Sequence, residues 1–189
     1  MTNTWMLATQ NPGKVREFQQ LLSRVGIQIA PAPRDLDVAE TGETFAANAL
    51  LKAQAYGDAF GSAALADDSG IMIEALDGAP GIYSARWAPE GDYERLFEQL
   101  ADQLQDVKKP KAAFVCVLCL YTPGQAPRFY EGRLEGHLTF PPRGEYGFGY
   151  DPIFVPEGYK QTCAQLGEDV KNGISHRRRA LDLLLKDVG

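Results

Sequence analysis

Apolar residues along the chain follow two rhythms, a spacing of three or four that predicts helices and short or continuous apolar runs that predict strands. A first strand is predicted at 5–9, and Val15, Phe18, Leu21, Leu22 and Val25 keep helical spacing across a helix at 13–24, which Gly26 closes as a C-terminal cap. A second strand falls at 27–30, after which Pro31 and Pro33 force a loop ending at Glu40, Thr41 and Gly42. The Ala-rich stretch 43–60 reads as a helix with Phe45, Ala49, Ala53, Tyr56 and Phe60 along one face and Thr41 as its N-cap.

Further on, a short strand at 63–66 runs into an acidic turn, Asp67-Asp68-Ser69-Gly70, followed by a strand at 71–76 and a loop from Asp77 through Gly81. Tyr93, Leu96, Phe97, Leu100 and Leu104 mark a helix at 92–104. The nearly unbroken apolar run at 112–121 predicts a strand buried on both faces, and 128–138 is its antiparallel partner across a Pro/Gly turn, which makes the sheet mixed. A Gly-, Pro- and aromatic-rich segment at 140–151, a last strand at 153–155, two short helical pieces and a helix from about Ser175 complete the chain. The fold class expected is α/β, a mixed sheet flanked by helices.

At 189 residues the chain has the length of one ordinary domain, and 1–189 is read as a single one. Hydrophobic residues at 44% exclude a disordered or collagen-like chain. No run approaches ~18 apolar residues and no leader pattern opens the sequence, so a soluble cytoplasmic protein without a membrane partner is expected. A formal net charge of -6 disfavours a nucleic-acid partner but leaves room for a small phosphorylated ligand held locally. Cys116 and Cys119 are expected in the core, because strand residues three apart face opposite sides and do not form a zinc or redox pair.

Four segments carry candidate chemistry. Ala8-Thr9-Gln10-Asn11-Pro12-Gly13-Lys14 lies between a strand and a helix N-terminus, where free N–H groups and the helix dipole favour an anion; it reads equally as an ordinary turn with Lys14 solvated. Asp67 and Asp68 suit a hard divalent cation such as Mg²⁺, with Glu40 as a further ligand, or they cap a tight turn ending in Gly70. Gly147-Phe148-Gly149-Tyr150-Asp151-Pro152 offers close backbone approach, rings that stack and a carboxylate, which suits a nucleobase, although the same alternation packs strand corners. Ser175-His176-Arg177, with Lys171 just before it, is either a ligand cluster or a Ser N-cap followed by solvated basic residues. No G-x-S-x-G elbow accompanies Ser69 or Ser175, and His137 is read as structural or exposed.

In order along nearly the whole chain, Thr9-x-Asn11-x-x-Lys14-x-x-Glu17, Glu40-Thr41-Gly42 with Thr44-Phe45, Asn48-Ala49 and Lys52-Ala53, Ala66-Asp67-Asp68-Ser69-Gly70, Ala79-Pro80-Gly81-Ile82-Tyr83-Ser84-Ala85-Arg86, Gly147 to Pro152 and Ser175-His176-Arg177 resemble the inosine triphosphate pyrophosphatase family. The resemblance implies an Mg²⁺-dependent enzyme that hydrolyses ITP, dITP and XTP to the nucleoside monophosphate and pyrophosphate. It also implies a long mixed sheet between two helical lobes with a central cleft, and a homodimer. By matching position, Thr9, Gln10, Asn11, Pro12, Gly13 and Lys14 hold the triphosphate, with Lys52 and Lys171 adding positive charge and Ser69 helping to hold the nucleotide. Asp68 resembles the general base and a metal ligand, and Glu40 the second metal ligand. Phe148 stacks on the purine, and Gly149, Tyr150, Asp151, His176 and Arg177 complete its pocket. Gln10 stands where relatives often have Gly, and Ala47 where a Glu often precedes the Asn.

Two rival readings stay open at this level: a pyrophosphatase of the same fold with another nucleotide preference, and a non-catalytic nucleotide sensor. Should the chain dimerise, the 79–87 loop, with Ile82, Tyr83 and Trp87, is the segment expected at the interface, although the same residues serve to cover the core.

Overall fold

The computed structural model describes residues 4–23 and 25–189, so Arg24, the last position of the first predicted helix, lies outside the described residues. Strands β1 (Thr4–Leu7), β2 (Gln28–Pro31), β3 (Ala64–Ile73), β4 (Lys111–Tyr121), β5 (Arg128–Leu138) and β6 (Phe154–Pro156) form one sheet in the order β2-β1-β3-β4-β5-β6. β1 runs parallel to β2 and β3, whereas β5 and β6 are antiparallel, so the sheet is mixed as expected. The Leu138 N–H donates to the Pro110 carbonyl at 2.8 Å, which ties the end of β5 to the start of β4 as a hairpin requires. The helices are α1 (Pro12–Ser23), α2 (Phe45–Phe60), α3 (Tyr93–Gln103), α4 (Cys163–Leu166), α5 (Glu168–Ile174) and α6 (His176–Val188). Among the described residues no helix is long and apolar enough to cross a membrane.

The chain forms two compact units, the first from the described part of Met1–Asp68 with Cys116–Glu131 and Ala180–Gly189, the second from Ser69–Val115 and Gly132–Arg179. Strand alternation organises the first. Cys116, Leu118 and Leu120 of β4 pack with Phe18, Leu21 and Leu22 of α1 and Leu181 and Leu184 of α6. Cys119 and Tyr121, on the other face of the same strand, pack with Ala49, Ala53 and Tyr56 of α2. The two cysteines thus lie in different apolar clusters, free and buried. In the second unit Leu96, Phe97 and Leu100 of α3 pack against Ile71, Phe114, Leu138, Tyr150 and Phe154.

Two expectations are corrected. The acidic segment is not a turn: β3 runs unbroken from Ala64 to Ile73 through Asp67, Asp68, Ser69 and Gly70, and a 3₁₀ turn at Glu74–Leu76 replaces the end of the second predicted strand. Polar residues in mid-strand mimic a turn in the sequence, but a lysine from a flanking helix meets each carboxylate there. The N-cap of α2 is Thr44 rather than Thr41, because Thr44 has extended backbone angles and its side chain accepts from the Ala47 N–H at 3.1 Å. In the 79–87 segment, a 3₁₀ stretch over Gly81–Trp87, Trp87 packs on the core of the second unit while Tyr83 stays 49% exposed beneath Arg86.

The first unit gives a direct test of this packing. Replacing a mid-helix glycine by alanine ordinarily stabilises by roughly 0.5–1 kcal/mol. At Gly57 of α2, however, a Cβ would lie 2.6 Å from Cδ1 of Tyr121, a ring held by its hydroxyl bond to Asp58 at 2.7 Å. Gly57→Ala is therefore expected to destabilise by about 1–3 kcal/mol in urea unfolding; a raised midpoint would contradict the packing.

Candidate active site

In a strand, successive side chains point to opposite faces, so adjacent carboxylates at positions 67 and 68 are separated by the backbone itself. Asp67 lies on the face of Leu65, which packs with α1, and Asp68 on the face of Ala66, which packs with α2. Each finds its own lysine. Lys14 of α1 reaches Asp67 at 3.1 Å, and Lys52 of α2 lies 2.8 Å from Glu40 and 4.0 Å from Asp68. Lys14 is 15% exposed, so it is not the solvated lysine of an ordinary turn. Burial alone would lower the Lys52 pKa, but Asp67, Glu40 and Asp68 outweigh it and hold the ammonium above its usual value. Burial pushes the Asp68 carboxyl up to about 6, with Lys52 opposing and Glu40 adding to the rise. Its Oδ2 is buried and has no hydrogen-bond partner among the described residues.

The loop that carries Glu40 is fastened to α2 by Asn48, a buried residue whose Oδ1 accepts from the Gly42 N–H at 2.8 Å. The loop between β1 and α1 differs from expectation. Pro12 has no N–H, the Gly13 and Lys14 N–H groups donate to Asn11 Oδ1 at 2.9 and 3.2 Å, and that of Val15 to the Asn11 carbonyl at 3.0 Å. Asn11 thus caps the helix and takes the donors expected to be free, so an anion here depends on the Lys14 ammonium and the helix dipole. Thr9 Oγ1 accepts from the Asn11 N–H at 3.2 Å, and the Gln10 side chain hydrogen-bonds Tyr56, whose hydroxyl donates to Asp35 at 2.7 Å.

The remaining candidates gather in the second unit. Phe148 is 37% exposed, with the Lys171 ammonium 4.5 Å and the Arg177 guanidinium 5.4 Å from its ring centroid, distances at which a cation is drawn to the π face. Lys171 also pairs with buried Asp151, whose Oδ2 accepts from the Phe148 N–H at 3.0 Å. Lys171 therefore touches both the Asp151 carboxylate and the face of Phe148. Gly147 has φ 80, and a Cβ there would run into the Asp151 carboxylate. Ser175 caps α6 by accepting from the Arg178 N–H at 3.0 Å, yet the two residues directly behind it are buried. His176 is buried and stacked on Phe114 at 5.0 Å, and Arg177 is buried with one N–H donating to Ser69 Oγ at 2.8 Å. Tyr150, expected at the ligand, is buried, with its hydroxyl donating to the Ser84 carbonyl at 2.7 Å.

Sequence reasoning gave Asn48 and Ser84 no role in the site, and it set Asp67 beside Asp68 rather than on the opposite face of a strand. The alternation of a strand would have sent Asp67 to the α1 side had the acidic segment been read as a strand. For Asn48 and Ser84 the signal is a polar residue at a core-facing position, which periodicity reports but does not explain.

Fold and site define the class: an α/β protein with a mixed six-stranded sheet, a strand-borne pair of carboxylates each met by a lysine, and an exposed phenylalanine beside two cations. The chain belongs to the Ham1 family, whose profile matches residues 5–187. It is 43% identical over 188 residues to the dITP/XTP pyrophosphatase of Oceanobacillus iheyensis, covering 96% of this chain and 95% of that one. It is 47% identical over 190 residues to the dITP/XTP pyrophosphatase of Rhodospirillum centenum, covering 97% and 93%. The solved structure of the Staphylococcus aureus Ham1 protein superposes with a TM-score of 0.87 at 37% identity, covering 98% of each chain.

The raised Asp68 pKa sets a pH dependence of stability. Between the ordinary 3.8 and about 6 the folded chain holds a proton that the unfolded chain releases, so this group's contribution falls as pH rises through that window and stays lost above it. At pH 7.5 and without divalent cations, Asp68→Asn is expected to gain of order 1–2 kcal/mol, read as a higher Tm. A Tm equal to or below that of the wild type would show that burial does not hold the carboxylate up.

Gly147→Ala tests the second group. Moving the Asp151 carboxylate should raise the KM for a nucleotide by about tenfold or more while Tm falls by only a few degrees. An unchanged KM would separate this loop from binding.

Proposed function

We propose that this protein hydrolyses non-standard purine nucleoside triphosphates, ITP, dITP and XTP, to the monophosphate and pyrophosphate. The observation that carries the reading is Asp68: buried, raised to about 6, with one carboxylate oxygen unpartnered among the described residues and Lys52 beside the other. A carboxylate of that pKa is ionised at neutral pH yet basic enough to take a proton, which is what activation of water asks of it. Relatives named dITP/XTP pyrophosphatase add the substrate class.

In this mechanism water attacks the α-phosphorus, its proton passes to Asp68, and the bond from the α-phosphorus to the bridging oxygen breaks with that oxygen leaving on pyrophosphate. Lys14 and Lys52, now paired with carboxylates, would turn to phosphate oxygens whose charge grows in the transition state. The residues fit Mg²⁺. Asp68 offers a free oxygen and Glu40 a partly exposed one, and no cluster of three or more His, Cys, Asp or Glu with metal-holding geometry occurs among the described residues. Few protein ligands suit an ion that keeps waters and shares substrate phosphates. When bound, Mg²⁺ supplies neutralisation of the triphosphate and of the leaving pyrophosphate.

The purine is assigned to Phe148, with donors from His176 and Arg177 meeting the 6-oxygen of hypoxanthine and xanthine. Adenine presents an amine there, a donor facing donors, which can discriminate by roughly 10⁴ or more. On this reading 1–189 is a single pyrophosphatase domain, a homodimer in the cytoplasm, with nucleotide and not nucleic acid as partner.

Pyrophosphate release from ITP, dITP, XTP, dUTP, GTP and ATP, with Mg²⁺ and with a chelator, tests the proposal. Metal-dependent turnover preferring ITP and XTP is expected, and Asp68→Asn should lower kcat by about 10³-fold or more while the protein stays folded. Near-normal turnover by that variant would remove Asp68 as the base. Nucleotide binding without turnover by the wild type would identify a sensor.

A further inference from the structure

Ser84 belongs to a motif that the mechanism leaves unused, yet it is buried and hydrogen-bonds Ile71, Gly81 and Tyr150. Its Oγ accepts from the Ile71 N–H at 2.9 Å and donates to the Gly81 carbonyl at 2.6 Å, while its own carbonyl accepts from the Tyr150 hydroxyl at 2.7 Å. Only a hydroxyl accepts and donates in this way at so small a size. The contact with β3 is close: a Cβ on Gly70 would run into the Gly81 carbonyl oxygen and the Ser84 hydroxyl. A second anchor lies nearby, where the Ile73 N–H donates to the Ala79 carbonyl at 3.1 Å.

On one side of this junction, Ile71 is two residues from Ser69, which accepts from Arg177 at 2.8 Å. On the other, Tyr150 precedes Asp151, which holds the Phe148 N–H and the Lys171 ammonium. Tyr150 is also held through its ring, which is buried and meets Tyr93 edge-on at 5.6 Å.

We propose that Ser84 is a positioning residue that, through Tyr150, sets the spacing between the Ser69–Arg177 pair and the Phe148–Asp151–Lys171 group, and so governs recognition of the purine rather than the bond-breaking step. Tyr150 is thereby a support of the pocket and not a contact of the ligand. The inference rests on the nucleotide-hydrolase reading above and deepens it.

The test compares Ser84→Ala, Tyr150→Phe and the double variant with the wild type on ITP, XTP and GTP, together with inhibition by inorganic triphosphate, which has no base. In both single variants the KM for ITP should rise about tenfold and the ITP-over-GTP ratio of kcat/KM should fall about tenfold, while kcat changes less than about threefold. The inhibition constant of inorganic triphosphate should not change, and the double variant should be no worse than the single ones, because both act on one junction. A uniform loss of kcat with the ITP-over-GTP ratio intact would overturn the proposal. Ser84→Ala leaves the buried Ile71 N–H without its acceptor, so its folding is checked by circular dichroism. Tyr150→Phe keeps the ring packing, and wild-type KM and selectivity in that variant would overturn the proposal by itself. Absence of ITP and XTP turnover in the wild type would remove the functional reading and this inference together, a result read before any variant is made.

Discussion

The strand β3 imposes the constraint on which the first half of the site depends. Two neighbouring carboxylates repel each other if they share a surface, and burial makes the repulsion stronger. The pleat sends them to opposite faces, and a helix on each face brings one lysine: Lys14 to Asp67, Lys52 toward Asp68 and Glu40. Three carboxylates against two ammonium groups leave a deficit of positive charge, concentrated at Asp68, where burial and Glu40 raise the pKa to about 6. The same imbalance that costs stability is what the proposed role of the group as a base and a ligand for a hard cation draws on.

The second unit applies a different economy. Lys171 and Arg177 are both buried cations, and each has an anionic or polar anchor, Asp151 for the one and Ser69 for the other. Anchored in this way, they stand beside an aromatic ring that is more than a third exposed. A ring supported by cations is a preorganised surface, held in place by its neighbours. The Gly81–Trp87 segment supports this arrangement through Ser84, and its remaining bulky residues divide between the core, for Trp87, and the surface, for Tyr83.

Much of this was legible from residue order. The helical stripes of α2 and α3 and the doubly buried β4 follow from periodicity, which is a property of the backbone and needs no partner to be read. The opposed burial of Cys116 and Cys119 follows from the same alternation. Motif order along the chain was enough to identify the family. Where local chemistry has two solutions, the sequence alone did not choose. The acidic segment at 67–70 is turn-like by composition and strand by tertiary pairing, because Lys14 and Lys52 arrive from helices far away in the chain. Thr41 and Thr44 both qualify as a cap, and the backbone angles of Thr44 decide.

What the sequence by itself determined, then, is the inventory of chemical groups, the rhythm of the elements and the family, since each is encoded within a few residues of itself. The tertiary structure decided the partnerships: Lys171 with Asp151, Asn11 on the helix donors that were expected to be free, and Tyr150 on the Ser84 carbonyl. Those are contacts between residues distant in sequence or competing for the same donor. Their outcome is set by which groups burial leaves within hydrogen-bond reach of one another, and no spacing along the chain records that distance.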